Sequence, residues 1–338
     1  MAPNYPMIRV TAASRLHFGL FALPARGVTH WPNAEGQPTI PARHFGGVGL
    51  MVDQPGVQVA VYPAKEWTAS GPSAERALDF AKRFISGRST REDQRAFRVT
   101  IERCAREHVG LGTGTQLALA VARGLSQSIG DARANVHSLA RDVGRGLRSS
   151  LGIHGFERGG LLVEGGKTAE DELAPLIVRQ AFPEEWQVLL IVPRGQQGTH
   201  GIDERDAFAN LAQRDCDFRR TETLCRLALL GMLPALADHD LPAFGEALYE
   251  FNRCAGEWFF PWQGGVYGNS MIEERIAWLR GHGIRGVGQS SWGPTIFAVE
   301  RSDVLQQVRQ RLLDRGELRE DEHIFCRAVN HGAERVEE

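Results

Sequence analysis

HVGLGTGTQLALAVARGL, residues 108–125, decides how the chain is read. The glycine-rich turn Gly110-Leu111-Gly112-Thr113-Gly114-Thr115 runs straight into a helix of small residues. Glycine lets the backbone adopt positive φ and come close to a ligand. The first helical N–H groups have no partner inside the helix, and the helix dipole places partial positive charge on them. Together these make a seat for an anion, most often phosphate. The hydroxyls of Thr113 and Thr115 can add hydrogen bonds or help to hold a metal ion. The first functional expectation is a phosphorylated ligand.

Composition narrows the class. A chain of 338 residues with mixed composition is expected to form two domains and to bury a substantial core. A formal net charge of −2 provides no basic field to draw it to nucleic acid or an anionic membrane. Cys104, Cys216, Cys225, Cys254 and Cys326 are odd in number and scattered, with no C-x-x-C. That argues against a disulfide framework and a zinc site and fits a reducing cytoplasm. The opening MAPNYPMIRV lacks the regions of a signal peptide, and apolar runs such as Val188–Val192 are far too short to span a bilayer.

Periodicity outlines the elements around that loop. Met7–Ala13, Val57–Tyr62 and Phe97–Arg103 read as strands, and Leu161–Glu164 as a short one. Ser73–Ile85, Thr115–Ser126 and about Asn135 to Val143 read as helices, the second apolar nearly all round and therefore buried. A linker with Pro175 and Pro183 is expected between Glu170 and Glu185, dividing domains 1–180 and 181–338. Beyond it come the strand Trp186–Val192 and helices near Arg219–Ala237, Leu241–Ala255 and Asn269–Gly281. Thr295–Val299, a helix near Asp303–Arg315 and a strand near Ile324–Val329 close the chain. Interleaved strands and helices in both halves imply an α+β or α/β layered fold.

Further segments carry chemistry. Arg141, Arg145 and Arg148 are spaced along one helical face, but Gly144 and Gly146 end the helix and leave a basic turn, GRGLRSSLG. Guanidinium groups suit phosphate or carboxylate; a solvated basic surface is the competing reading. His154-Gly155-Phe156-Glu157-Arg158-Gly159-Gly160 reads as a short loop that gathers an imidazole, a carboxylate and a guanidinium, the types needed for proton transfer. In SRLHFGL, Arg15 and His17 alternate with Leu16 and Phe18, so the polar pair shares one strand face. Gly288, Gln289, Ser290, Ser291 and Trp292 lie in a second glycine turn able to meet phosphate or ribose oxygens, with Trp292 able to stack on a ring. Trp292 as the core plug of a tight hairpin is the alternative. Arg43-His44-Phe45-Gly46-Gly47 adds a cation and more glycine.

The loop and helix at 108–125 resemble the phosphate-binding motif of the GHMP superfamily of small-molecule kinases, with His108 where a proline is usual and Thr113-Gly114-Thr115 in place of the serine pair. SRLHFGL, RHFGGVGLMVDQP, HVGLGTGTQLALAVA, GRGLRSSLGIHGFERGGLLVEGG and GVGQSSWGPTIFAV occur in an order that more closely resembles the β-ribofuranosylaminobenzene 5′-phosphate synthase family of tetrahydromethanopterin biosynthesis. The resemblance spans about residues 14 to 299. It implies an N-terminal domain like ribosomal protein S5 domain 2 and a ferredoxin-like C-terminal domain. It also implies condensation of phosphoribosyl pyrophosphate with 4-aminobenzoate or 4-hydroxybenzoate, with loss of pyrophosphate and carbon dioxide. Magnesium, a homodimer and a cytoplasmic enzyme are expected on the same ground. On this reading Gly110–Thr115 cradles phosphate or pyrophosphate. Arg145, Arg148 and Arg158 neutralise phosphates or orient the carboxylate, and Arg15 and His17 complete the anion site, with Ser149 beside them. Glu157 binds magnesium or stabilises the cationic ring, and His154 moves a proton. The alternatives are an ATP-dependent kinase of the superfamily and a non-catalytic phospho-ligand or RNA-binding protein. The near-neutral charge speaks against the RNA-binding form.

Overall fold

In the computed structural model the described residues are 6–86, 88, 96–131, 134–168, 173–195 and 201–337. The first half is a seven-stranded sheet covered by helices. Its strands are β1 (Ile8–Leu20), β4 (Gly47–Ala64), β5 (Thr68–Ser70), β6 (Ala96–Cys104), β7 (Leu161–Glu164), β8 (Leu176–Gln180) and β13 (Glu334–Glu337), while β2 (His30–Pro32) and β3 (Pro38–Pro41) form a separate hairpin. The helices are α1 (Ala74–Ser86), α2 (Thr113–Ser128), α3 (Val136–Asp142) and α4 (Leu151–Arg158). The sheet order is β13-β1-β4-β6-β5, with β7 and β8 added along the first part of β4.

The second half runs β9 (Trp186–Ile191), α5 (Gly201–Leu211), α6 (Phe218–Arg226), a π-helical turn at Leu227–Met232, α7 (Leu233–Ala237), α8 (Leu241–Gly256), α9 (Phe260–Gln263) and α10 (Ser270–Gly281). Then come β10 (Gly286–Gln289), β11 (Ile296–Arg301), α11 (Ser302–Asp314) and β12 (His323–Arg327). These strands form an antiparallel sheet in the order β10-β11-β9-β12. A β-α-β-β-α-β chain order with that strand arrangement is the ferredoxin-like plan.

Alternation builds the sheet and also aims the site. In β1 the apolar residues Ile8, Val10, Leu16 and Phe18 are buried. One core packs Val10, Val59, Val61 and Val99 under Phe84, Leu117 and Val121 of α1 and α2. A second core joins the halves: Leu16, Phe18 and Leu50 meet Val188, Leu190, Phe244, Phe251 and Phe297. Because the halves share that core, the far end of β1 is held against α8 and β10.

Three local expectations are corrected. The segment read as a linker, Glu170–Glu185, contains β8, which hydrogen-bonds to β7 (residues 170–172 of it lie outside the described ones). The HGFERGG loop is mostly helix: α4 runs through Arg158 and stops at Gly159, whose φ of 59° leaves the helical region. The strand at Met7–Ala13 continues through SRLHFGL to Leu20 because β4 pairs with it throughout.

Candidate active site

A cavity of about 270 Å³ opens where the halves meet. Its walls come from the end of β1, the start of α2, the turn between α3 and α4, α5, α8 and the turn after β10. Arg15 and His17 enter it from β1, on the face opposite buried Leu16 and Phe18. Strand alternation thus delivers both polar side chains to one place.

Gly112, the N-cap of α2, is in the left-handed region, φ 68°, and no side chain caps the first turn of the helix. A Cβ on Gly112 would lie 2.9 Å from Arg15 Nε, and one on Gly114 2.6 Å from a terminal nitrogen of Arg76. The glycines therefore admit two guanidinium groups to the positive end of a helix. Cations are disfavoured there unless an anion joins them. Arg76 is paired with Glu107 at 2.6 Å. Thr115 borders the cavity, whereas Leu111 is core and Thr113 turns its hydroxyl to the carbonyl of Arg106.

The basic turn supplies more positive charge. Gly144 and Gly146, both at positive φ, flank Arg145, and the turn places Arg145, Arg148 and Ser149 on the wall. Arg145 lies over the Phe80 ring at 4.8 Å, and its Nε is buried without a hydrogen-bond partner. Burial, then repulsion from Arg76, pushes its guanidinium down to about 10. His17 is held well below the usual imidazole range, chiefly by burial and then by Arg15, so it is neutral at pH 7. Among the described residues that line the cavity, Arg15, Arg145 and Arg148 carry charge, and none is an Asp or Glu.

The opposite end is aromatic. Phe208 of α5 stacks on Trp292 with centroids 5.1 Å apart and planes 9° from parallel. Phe259 meets Trp292 edge-on at 4.6 Å. Arg148 sits over the Phe208 ring at 4.8 Å and so bridges the charged and aromatic ends.

The second glycine turn divides its labour. Ser291 and Trp292 face the cavity. Ser290 is fully buried and acts as a bolt: its Oγ accepts from His17 N at 3.1 Å and donates to the Gly110 carbonyl at 2.7 Å. Gln289 borders the cavity, but its amide is engaged by the Gly293 carbonyl and by Gly268 N. Gly288 packs against Asn252, which binds the carbonyls of Phe18 and Gln289. These bonds lock the loop at 108–112 to both halves.

The structure does not bring every expected residue to the cavity. His154 is buried in α4, where its Nε2 bonds the Ala174 carbonyl at 2.8 Å; burial lowers its pKa. Glu157 and Arg158 are 3.8 Å apart at the exposed end of α4, outside the cavity lining. Because Leu151–Arg158 is a helix and not a loop, the chain rises along α4 and does not fold back to the turn that carries Arg148. Sequence reading missed Phe208, Phe259, Asn252 and Arg76, which tertiary contact alone brings in. It also missed Glu164 and Lys167, buried behind the basic turn.

The described residues contain no group of three or more His, Cys, Asp or Glu side chains placed to hold a metal. The cavity's hydroxyls and guanidinium groups do not make a magnesium cage by themselves.

Residues 232–318 match the family described as GHMP kinases C terminal. Mevalonate pyrophosphate decarboxylase from Streptococcus pyogenes superposes with a TM-score of 0.64 at 14% identity, over 98% of this chain and 99% of that one. Together with the two-sheet plan, these show the fold of the GHMP kinases. Two curated relatives are both called β-ribofuranosylphenol 5′-phosphate synthase. The one from Methanothermobacter thermautotrophicus is 29% identical over 75% of this chain and 81% of its own length. The one from Archaeoglobus fulgidus is 28% identical over 97% and 99%. The chain is therefore similar in sequence to this synthase family over most of its length.

Proposed function

We propose that the protein joins phosphoribosyl pyrophosphate to 4-hydroxybenzoate or 4-aminobenzoate, forming a C-riboside 5′-phosphate with release of pyrophosphate and carbon dioxide. The observation that carries this reading is the two-ended cavity: Arg15, Arg145 and Arg148 with no lining carboxylate, continuous with Phe208, Phe259 and Trp292. Such a wall suits a polyanion at one end and an aromatic acid at the other.

The C1–O bond to pyrophosphate breaks and leaves an oxocarbenium-like carbon. The ring carbon bearing the carboxylate attacks it, forming the C–C bond. The bond to the carboxylate then breaks, and its electron pair restores aromaticity as carbon dioxide leaves. No proton needs to reach the ring carbon. The protein's task is therefore alignment and charge balance. Thr115, the α2 terminus and Arg145 hold phosphate oxygens. Arg148 stands where the benzoate carboxylate meets the charged end, and Trp292 and Phe259 support the ring. Neutral His17 can hydrogen-bond a substrate oxygen without adding another charge that would stabilise the carboxylate before it is lost. The cavity offers a magnesium ion only hydroxyls such as those of Thr115 and Ser149, so the ion would be held chiefly by the diphosphate itself and would supply charge neutralisation of the leaving group.

The reading extends to a cytoplasmic homodimer, supported by family resemblance. No described helix is long and apolar enough to cross a membrane. The functional test is release of pyrophosphate and carbon dioxide from the two substrates together, with ATP and candidate alcohols as the control for a kinase. ADP formation in the control, with no pyrophosphate release, rejects the synthase reading.

A further inference from the structure

We propose that Glu164 and Lys167 are positioning residues that fix the turn carrying Arg145 and Arg148 from behind the cavity. This inference rests on the reading of that cavity as a phosphate and pyrophosphate site. Both side chains are buried, Glu164 completely. Neither lines the cavity. Both spend hydrogen bonds on the backbone of the basic turn. Lys167 Nζ donates to the carbonyl of Gly146 at 3.2 Å and to that of Leu147. Glu164 Oε2 accepts from Ser150 N at 2.6 Å, while its Oε1 is buried without a hydrogen-bond partner. The Ser150 hydroxyl in turn accepts from Ala174 N at 2.9 Å.

The two anchors are themselves rigid. Glu164 ends β7, paired with β4, and the Lys167 backbone exchanges both hydrogen bonds with His44. The turn they hold is not rigid by composition. Gly144 and Gly146 sit in it at φ 68° and 89°, and Leu147 is 71% exposed. A glycine-hinged segment bearing two guanidinium groups would sample many arrangements if left alone. Burying an ionisable group is costly unless specific partners compensate it, and here part of the compensation comes from the turn's own backbone. The arrangement specifies one turn geometry, and through it the spacing of the two arginines.

The test uses the full-length protein, with Glu164→Leu and Lys167→Met as disruptive variants and Glu164→Gln as the conservative one. Glu164→Leu removes the acceptor for Ser150 N; Glu164→Gln keeps an acceptor oxygen. Calorimetric binding of inorganic pyrophosphate is expected to weaken about tenfold in Glu164→Leu and Lys167→Met and to return to within about threefold of wild type in Glu164→Gln. Turnover should fall mainly through a higher KM for phosphoribosyl pyrophosphate. In an Arg145→Ala/Arg148→Ala background, Lys167→Met should add less than about a twofold further loss, because residues acting through one unit are not additive. Wild-type affinity in both disruptive variants, or an equal loss in both backgrounds, overturns the proposal. If the wild type binds no pyrophosphate, the reading of the cavity fails, and amide hydrogen exchange decides the clamp. Faster exchange at Ser149–Leu151 in Lys167→Met supports it, and unchanged exchange rejects it. If the disruptive variants do not fold, hydrogen exchange of Glu164→Gln above and below pH 8 gives the same decision: after division by the intrinsic, base-catalysed rate, the protection of those amides should change across that range in the wild type and stay constant in Glu164→Gln.

Discussion

At the scale of single residues, the account turns on Arg148. It lies between the phosphate-suited end and the Phe208 ring, so it can meet both reacting partners. Arg148→Ala should lower turnover roughly a hundredfold to a thousandfold, the range seen when one charge-stabilising donor is removed. Its thermal unfolding midpoint should stay within a few degrees of wild type. Near-normal turnover would remove Arg148 from the site. Glu164 makes a separate prediction about stability. Burial pushes its carboxyl up to about 8, against the opposing pull of hydrogen bonds from Ser149 and Ser150 and the charges of Arg15 and Lys167. With its folded pKa above the unfolded value, the folded state holds the proton more tightly. Stability attributable to this group is therefore present at low pH and lost as pH rises from about 4.5 towards 8. Denaturant titrations at pH 5 and pH 7 should differ by roughly 2 kcal/mol on this account, and Glu164→Gln should remove that part of the difference.

At the scale of elements, the loop before α2 was legible because its chemistry is local. Glycines at 110, 112 and 114 mark the turn, and the small-residue run marks the helix. Gly112→Ala tests what that turn contributes. A Cβ there adds about 1–2 kcal/mol of left-handed strain and meets Arg15. The variant should melt a few degrees lower and show a raised KM for phosphoribosyl pyrophosphate. An unchanged KM would mean that the loop supports the fold without touching substrate. Other elements were less legible. Glycines at 152 and 155 made α4 look like a loop, but Gly155 is where Met51 packs against the helix, so glycine there serves close packing. Prolines at 175 and 183 made β8 look like a linker, although five residues between them suffice to pair with β7. Arg15 and His17 were readable as a pair because strand alternation needs no tertiary information.

At the scale of the whole molecule, the charged end of the cavity could be anticipated and most of the aromatic end could not. Arg15, Arg145 and Arg148 lie in glycine-punctuated motifs that announce themselves in the chain. Phe208 and Phe259 belong to helical segments of the second half, and only the core shared by Phe18, Phe251 and Phe297 brings that half against β1. For the same reason Glu157 and Arg158 looked central in sequence and stand outside the cavity in space. The most direct test is to follow pyrophosphate and labelled carbon dioxide with phosphoribosyl pyrophosphate and a carboxyl-labelled para-substituted benzoate. The account predicts equal amounts of both products, formed only when both substrates are present and largely lost in Arg148→Ala. Pyrophosphate release without carbon dioxide, or ADP formation from ATP as the sole turnover, would contradict it.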